Sequence, residues 1–362
     1  MIVLTNGDIL AATYSSVFTI GPDGSQLDRF DSGPGHLDTD LAVAADGKLL
    51  FTRHGVGYGA LVALRGGKVE WELVDRFTMV DEGPLALPDG GICIAASNRV
   101  VRLNPDGSIR WTHTAATTLY HAPSLAPDGG LLFAEAMRGS NFMVMLNEDG
   151  SLRWRLPSDP GFGVGGPAFA RDGTFYWGRD TNITLAAFSP AGAPLWQLKR
   201  RERSLSTPVV GQDETIYLTA RSPARANAVL LAVSPVGSLK WEFALGSGHA
   251  LDAPVIAADG TLYLVTSDRW VRAIKPDGQL KWHYRIASKP SIDRELSWEA
   301  LRIDLRTRWG LTRNDLHGPP VLGPDGTLYV NFGHTGSIYA FDVGGAAAPA
   351  GEAPRPKSKP AP

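Results

Sequence analysis

The sequence predicts an all-β protein, an eight-bladed β-propeller whose blades are four-stranded antiparallel sheets. The first observation behind this prediction is a tryptophan that returns at intervals of 40, 43, 42, 45 and 41 residues. The six members of the series are Trp71, Trp111, Trp154, Trp196, Trp241 and Trp282. A period of about 40 residues is typical of repeat proteins. A large ring at one place in every repeat is expected to be buried between neighbouring repeats.

The second observation is a turn of the Asp-Gly kind between short apolar runs in most repeats. Those turns begin at Asp46, Asp89, Asp128, Asp172, Asp259 and Asp325. Asp-Gly between runs of β-branched and aromatic residues indicates a β-hairpin. In repeats three to seven a proline opens the first strand, 12 or 13 residues after the preceding Trp. Four strands in each repeat then form the antiparallel blade of a propeller.

The number of first hairpins predicts eight blades, which begin near Met1, Leu41, Pro84, Pro123, Pro167, Pro208, Pro254 and Pro320. The first repeat has Phe30 in the place of Trp, and the eighth has three strands, the last over residues 337–342. We therefore expect a propeller over residues 1–342 with an incomplete last blade. Residues 343–362 form an Ala/Pro-rich tail that is predicted to be disordered.

The seventh interval is longer than the others, because 38 residues separate Trp282 from Pro320. This places an insertion at about residues 285–318, between blades seven and eight. Within it, residues 293–309 are predicted to form one short helix. Its apolar stripe consists of Trp298, Leu301, Leu305 and Trp309. The stripe either packs onto blades seven and eight or serves as a lid or a handle for a partner.

The repeat phrase, a Pro followed by Asp-Gly-Thr-x-Tyr and closed by Gly-x-x-x-Trp, resembles the PQQ-like repeat of quinoprotein-type propellers. The copies at 254–282 and 320–341 are the most similar, and the resemblance extends over residues 1–342. That family contains redox enzymes, outer-membrane assembly scaffolds and binding modules. Its quinone-dependent dehydrogenases use a vicinal disulfide with calcium and a catalytic Asp, whereas Cys93 is the only cysteine of this chain. The resemblance therefore implies the non-dehydrogenase branch, with no cofactor and no metal.

Composition narrows the class of partner and the compartment. A formal net charge of −2 argues against nucleic acid as a partner. No run approaches the roughly 20 apolar residues that span a bilayer. Met1 leads directly into the first strand and there is one cysteine, which predicts a cytoplasmic protein. The periplasm or the extracellular space is the alternative if an N-terminal leader was removed. Cys93, between two isoleucines, is predicted to be a small buried hydrophobe.

The loops that join strand two to strand three are predicted to lie on one face and carry a repeated cation. The residues are Arg53, Arg99, Arg138, Arg179, Arg221 and Arg269, with His334 at that place in the eighth repeat. The loops into strand one add His121, His249 and His317. Either the arginines pair with carboxylates and solvate the rim, or they form a cationic funnel that binds carboxylates, phosphates or an acidic peptide.

The opposite face carries the Asp-Gly turns and is predicted to be acidic. The side chain of an aspartate in such a turn accepts a hydrogen bond from the backbone two residues later. This turn chemistry accounts for the aspartates, and no functional role is needed to explain them. The histidines of the arginine face stand at different distances before strand one, so they are not expected to converge on a metal.

Three hypotheses about function follow from these patterns. The first is a non-enzymatic binding or scaffold propeller, which fits repetition without a recognisable nucleophile or acid–base pair. Its partner would be another protein or an acidic peptide, and the edge of blade eight would offer a place for strand addition. The second is an enzyme of the sulfotransferase, lyase or quinoprotein kind with its active site at the channel. The third is a lectin-like module for sugars or small molecules.

Overall fold

The computed structural model describes most of the chain. The described residues are 1–13, 15–33, 36–55, 58–75, 83–117, 119, 121–137, 140–158, 166–178, 183–200, 203–204, 206–221, 228–246, 253–286, 319–332 and 337–343. The predicted helix, nearly all of the insertion and nearly all of the tail lie outside these residues.

The fold is an eight-bladed β-propeller, as the sequence predicts. Blade one contains β1 (Ile2–Val3), β2 (Ile9–Ala12), β3 (Ser16–Ile20) and β4 (Gln26–Asp31). Blade two contains β5 (His36–Val43), β6 (Leu49–Gly55), β7 (Tyr58–Arg65) and β8 (Lys68–Asp75). Blade three contains β9 (Leu85–Ala86), β10 (Ile92–Ala96), β11 (Arg99–Leu103) and β12 (Ile109–Thr114). Blade four contains β13 (Ser124–Leu125), β14 (Leu131–Met137), β15 (Ser140–Leu146) and β16 (Leu152–Ser158).

The remaining blades follow the same order of strands, with one addition and one omission. Blade five contains β17 (Ala168–Phe169), β18 (Phe175–Gly178), β19 (Ile183–Phe188) and β20 (Pro194–Lys199). Blade six contains β21 (Arg203–Ser204), β22 (Val209–Val210), β23 (Ile216–Arg221), β24 (Ala228–Val233) and β25 (Leu239–Gly246). Blade seven contains β26 (Val255–Ile256), β27 (Leu262–Val265), β28 (Trp270–Ile274) and β29 (Leu280–Arg285). Blade eight contains β30 (Val321–Leu322), β31 (Thr327–Phe332) and β32 (Ser337–Asp342).

Neighbouring strands of a blade pair antiparallel in sequence order, except in blade six, where β21 and β22 both pair with β23. Burial differs between the strands. Strands two and three are nearly continuous apolar runs, as in β10, where all five residues are buried. Strand four alternates exposed and half-buried residues, as in β12. This pattern is expected when the inner strands are covered on both faces by neighbouring blades and strand four lies at the solvent edge.

The chain divides into two compact units. One unit contains Met1–Ala11, Thr19–Leu27 and Arg200–Pro362, and therefore blades six to eight with part of blade one. The other contains Ala12–Phe18 and Asp28–Lys199, and therefore blades two to five with the rest of blade one. Within the first unit, Tyr263 and Val271 of blade seven share a core with Leu328 and Phe341 of blade eight. Within the second, Cys93 of blade three shares a core with Phe133 of blade four.

The Asp-Gly turns have the conformation that the sequence predicts. In the turn of blade seven, Gly260 has a φ of +79°, which favours glycine. The Asp259 carboxylate accepts hydrogen bonds from the Thr261 amide at 2.9 Å and the Thr261 hydroxyl at 2.8 Å. Turn chemistry therefore explains these aspartates, because their side chains replace backbone partners that the tight turn cannot supply.

The tryptophans join each blade to the next. The Trp111 indole N–H of blade three donates a 3.0 Å hydrogen bond to the Glu148 carbonyl in a turn of blade four. A Cβ on Gly150 of that turn would lie 2.5 Å from the indole, so only glycine allows the ring to approach. Trp241 makes the equivalent bond to the Pro276 carbonyl at 2.8 Å.

The tryptophan rings are mostly covered, as the sequence predicts, but to different degrees. Trp282 is buried, with 3% of its surface exposed, whereas the other five are half-buried. The reason is that each ring lies on strand four, where one edge reaches the next blade and the other faces solvent. Phe30 replaces the Trp in blade one, with its ring centre 5.7 Å from that of Phe51 in blade two.

Candidate functional site

Each blade has two ends, which we name by their residues. The aspartate end carries the turns between strands one and two and between strands three and four. The arginine-bearing end is where strand two meets strand three and where strand four leaves the blade. Four predicted arginines and one histidine at the second end lie within the described residues: Arg53, Arg99, Arg221, Arg269 and His121. The other predicted site residues lie outside them: Arg138, Arg179, His249, His317, His334, Trp298, Leu301, Leu305 and Trp309.

The arginines do not all stand in loops. Arg53 lies inside β6, Arg99 begins β11 and Arg221 ends β23. Arg269 lies in the turn between β27 and β28 with a φ of +70°. Its amide donates to the Thr266 carbonyl at 2.8 Å, and its own carbonyl accepts from the Ile286 amide at 2.9 Å. These bonds fix a backbone conformation that is costly for a residue other than glycine.

The Arg53 guanidinium is bound by neighbouring residues of the protein. Its Nε donates to the Glu72 carboxylate at 3.0 Å, and a second nitrogen also contacts that carboxylate. A third donates to the Ser32 carbonyl at 2.7 Å. At this position the arginine is therefore an ion-pair partner, because the nitrogens that an anionic ligand would contact are already used.

Blade four has a buried carboxylate near its arginine-bearing end that the sequence analysis did not single out. Glu135 is 2% exposed and accepts from the Arg155 Nε at 2.8 Å and from the Ala116 amide at 3.0 Å. The Arg155 guanidinium carbon lies 3.4 Å from the centre of the Phe142 ring. Burial lowers the pKa of nearby His113, against the opposing charge of Glu135. The pair stabilises the joint between blades three and four, and its partners leave little of the carboxylate available for chemistry.

Blade seven gathers cations around an aromatic ring. Trp270 faces Arg285 across the β28–β29 pair, and Arg272 faces His283. The Arg272 and Arg285 guanidinium carbons lie 5.6 and 5.7 Å from the centre of the Trp270 ring. The His283 and Trp270 ring centres are 4.6 Å apart. Alternate residues of paired strands share a sheet face, so the pattern Trp-x-Arg with His-x-Arg across one hairpin would have indicated this cluster.

One histidine pair occurs in blade two, but the predicted histidines are not brought together in the described residues. His36 and His54 of blade two stack with ring centres 5.5 Å apart, on neighbouring strands. His121 is half-buried near the start of blade four. Within the described ranges, no group of three or more His, Cys, Asp or Glu side chains is placed to hold a metal ion.

Several aspartates of the predicted acidic face are paired with cations in the structure. In four blades the residue just before the Trp is a cation that reaches the turn aspartate of its own blade. The pairs are Arg110–Asp89, Arg153–Asp128, Lys240–Asp213 and Lys281–Asp259, at 2.7 to 3.4 Å. Although burial opposes ionisation, the Thr261 amide and hydroxyl and the Lys281 ammonium together lower the pKa of Asp259. The charge of these turns is compensated locally.

Two shallow cavities open at the aspartate ends of blades six and seven. One of about 410 Å³ is bordered by Asp259, Lys275, Asp277 and Lys281. The other, about 250 Å³, lies between the two blades beside Tyr217. The first cavity is bordered by charges of both signs, and its Asp259 is paired with Lys281. The charged residues that line the second, Asp213 and Asp259, are both acidic, and each is paired with a lysine.

The family of the chain follows from its repeats. The family model described as outer membrane protein assembly factor BamB matches residues 15–160 and 141–348. The chain belongs to this family. That result confirms the resemblance to PQQ-like propellers. No curated protein sequence matches the chain.

Several solved structures of differently named proteins have a similar fold. BamB from Moraxella catarrhalis is 14% identical with a TM-score of 0.66, over 93% of this chain and 94% of its own. Apo AztD from Citrobacter koseri is 13% identical with a TM-score of 0.58, over 96% of both chains. Virginiamycin B lyase from Staphylococcus aureus is 15% identical with a TM-score of 0.54, over 82% of this chain and 92% of its own. At such identities these likenesses show the fold alone.

Helices long and apolar enough to cross a bilayer are absent from the described residues. The compartment given by the sequence analysis stays a prediction.

Proposed function

We propose that the chain is a non-enzymatic binding or scaffold propeller whose arginine-bearing ends bind an acidic segment of another protein. One observation carries the proposal. Arg221, Arg269 and Arg285 stand at these ends of blades six and seven, and no ion pair holds them within the described part of the chain. The turn aspartates at the other ends of these blades are paired with lysines. Cations without an ion-pair partner among the described residues therefore lie at the arginine-bearing ends of these two blades. Carboxylates of a partner protein would be attracted most strongly there.

The family supports a scaffold role, since its model is described as an outer membrane protein assembly factor. The alternative is an enzyme of the sulfotransferase, lyase or quinoprotein kind, and the virginiamycin B lyase structure shares the fold. An enzyme would need arginines and histidines that converge with free donors. Arg53 is committed to Glu72. Arg272, Arg285 and His283 do gather at Trp270, but Arg272 is held by Thr266 and the His283 ring packs on the indole, which favours binding over catalysis.

A peptide-binding measurement tests the proposal. The probe is a fluorescent glutamate-rich peptide, and the readout is anisotropy against protein concentration. We expect binding that weakens as ionic strength rises from about 0.01 to about 0.1 M, because the Debye length falls from about 30 to about 10 Å. The double variant R221Q/R269Q should weaken binding, whereas R110Q, at an aspartate end, should not. Wild-type protein that does not bind the peptide even at low salt would contradict the proposal.

We also propose that blade eight accepts a strand from a partner. Its described sheet has three strands, in the order β30-β31-β32, where the other blades place a fourth strand beside strand three. An uncovered strand edge is a template for strand addition. Hydrogen exchange on the isolated protein tests this. Fast exchange of the outward amides of residues 338–341 is expected, and slow exchange would show that the edge is already covered.

A further inference from the structure

The cluster on blade seven contains two arginines whose roles differ. Arg272 is tied into the fold, because its guanidinium donates to the Thr266 hydroxyl at 2.6 Å and to the Leu245 carbonyl of blade six at 3.3 Å. Thr266 is fully buried, and its hydroxyl also contacts the Asp268 carboxylate at 2.5 Å. Desolvation lowers the pKa of Arg272 while the Asp268 charge opposes the change. Arg272 thus holds blade seven against blade six.

Arg285 differs from Arg272 because, among the described residues, no oxygen accepts a hydrogen bond from its guanidinium. It is exposed, and its guanidinium carbon lies 5.7 Å from the centre of the Trp270 ring. A guanidinium over an aromatic face is attracted by the ring and loses rotamer freedom, while its N–H groups keep their capacity to bind an anion. Arg285 is therefore oriented in advance for a ligand.

The charge around Trp270 is positive. Arg269, Arg272 and Arg285 carry three positive charges, whereas Asp268 is the acidic residue of the same segment. His283 lies on the same sheet face and is exposed. An incoming carboxylate would meet a surplus of cations here, in contrast to Arg53, whose charge Glu72 already offsets.

We propose that Arg285, positioned by Trp270, is the anchor for a glutamate or aspartate side chain of the partner's acidic segment. Arg269, whose carbonyl accepts from the Ile286 amide next to Arg285, is the second cation of the site. This inference rests on the proposed function and assigns its binding site. A planar guanidinium matches a carboxylate through two parallel hydrogen bonds. Trp270 is a positioning residue, since it acts through Arg285.

The chemistry of the site favours an acidic peptide over other polyanions. A nucleic acid or an anionic membrane needs a broad basic surface, but the chain as a whole carries a net charge of −2. The cluster is confined to the end of one blade, a size that suits one or two carboxylates. Its aromatic ring adds apolar contact for the methylene groups of glutamate.

Four single variants test the assignment with the same glutamate-rich peptide. R285Q should weaken binding about tenfold or more, which is about 1.4 kcal/mol per factor of ten. R285K keeps the charge without the planar fork, so its affinity should fall between wild type and R285Q. W270L should also weaken binding while Arg285 remains. R110Q is the matched control and should bind as wild type does. Thermal unfolding of each variant shows that the fold is retained.

The outcomes separate this inference from the proposed function. If R285Q and W270L bind as wild type while R221Q/R269Q is impaired, the proposed function stands and the Arg285 anchor is wrong. If R285K equals wild type and W270L has no effect, the site senses charge alone and the positioning role fails. If vesicles of anionic lipid or a single-stranded oligonucleotide bind Arg285 as tightly as the peptide does, the site is a general polyanion surface and the inference is overturned.

Discussion

Arg53 and Arg285 have the same side chain and stand at the same end of their blades, yet only one has donors available for a ligand. Arg53 spends its nitrogens on Glu72 and on the Ser32 carbonyl. Arg285 contacts an aromatic ring, which orients it without neutralising it. At the scale of the residue, the neighbours of an arginine decide whether it can bind an anion. A carboxylate occupies the N–H donors of the guanidinium, whereas an aromatic ring leaves them available.

His113 gives a prediction about pH. Its pKa is lowered below the usual 6.5 in the folded protein, chiefly by burial. The unfolded chain then binds more protons than the folded one as pH falls below 6.5, so His113 makes folding less stable on acidification. We expect H113Q to lose less free energy of unfolding than wild type between about pH 7.5 and about pH 5.5. Urea unfolding at the two pH values measures the difference, and equal losses in both proteins would contradict the prediction.

The prediction for Cys93 is confirmed, since the residue is fully buried. Burial raises the pKa of its thiol to about 12. Such a thiol is inert, because the thiolate is the reactive form. The burial of Cys93 could be predicted from the sequence, because a strand that is apolar at consecutive positions, as at Ile92, Cys93 and Ile94, is expected to be covered on both faces. The partners of Arg53 and Arg285 could not, since they depend on pairing registers that the sequence alone does not determine.

At the scale of the element, the joint between blades depends on a glycine beneath a tryptophan. Gly150 and Gly47 have φ values of +84° and +83°, so a Cβ strains both equally. A Cβ at Gly150 would meet the Trp111 ring, whereas at Gly47 nothing lies within 4 Å. We expect G47A to cost about 1–2 kcal/mol and G150A to exceed it by about 1–3 kcal/mol, the cost of overpacking. Denaturant unfolding measures both, and equal losses would show that the ring contact is unimportant.

The strands of the repeat could be predicted, whereas the exposure of their rings could not. Period, Asp-Gly turns and opening prolines are local signals, and the eight blades follow them, including the three-stranded last blade. The burial of Trp111 or Trp241 depends on how far strand four projects from the neighbouring blade. In four blades the cation before the Trp also has a tertiary role that a phrase such as Leu-Lys-Trp does not reveal, as when Lys281 bonds to a turn 22 residues earlier.

At the scale of the molecule, features that recur in the blades can be compared with features that occur in one blade. The recurring features serve the structure of the propeller, and a feature of one blade is a candidate for function. The Asp-Gly turn and the Trp joint recur because each blade needs them to pack against the next. Blades one and four also place an arginine over an aromatic ring, Arg29 over Phe18 and Arg155 over Phe142, whereas at Trp270 two arginines and a histidine surround one ring. A feature that departs from an otherwise regular repeat is where a function distinct from folding is expected.

Hydrogen–deuterium exchange with and without saturating glutamate-rich peptide tests the central claim most directly. The amides of Arg269 and Ile286 are hydrogen-bonded across the base of the cluster, so their exchange reports local opening that a ligand at Arg285 suppresses. The account predicts slower exchange over residues 266–270 and 285–286, with no change over 259–261 and 275–278 at the aspartate end of the same blade. Protection at the aspartate end alone, beside the cavity of about 410 Å³, would contradict it.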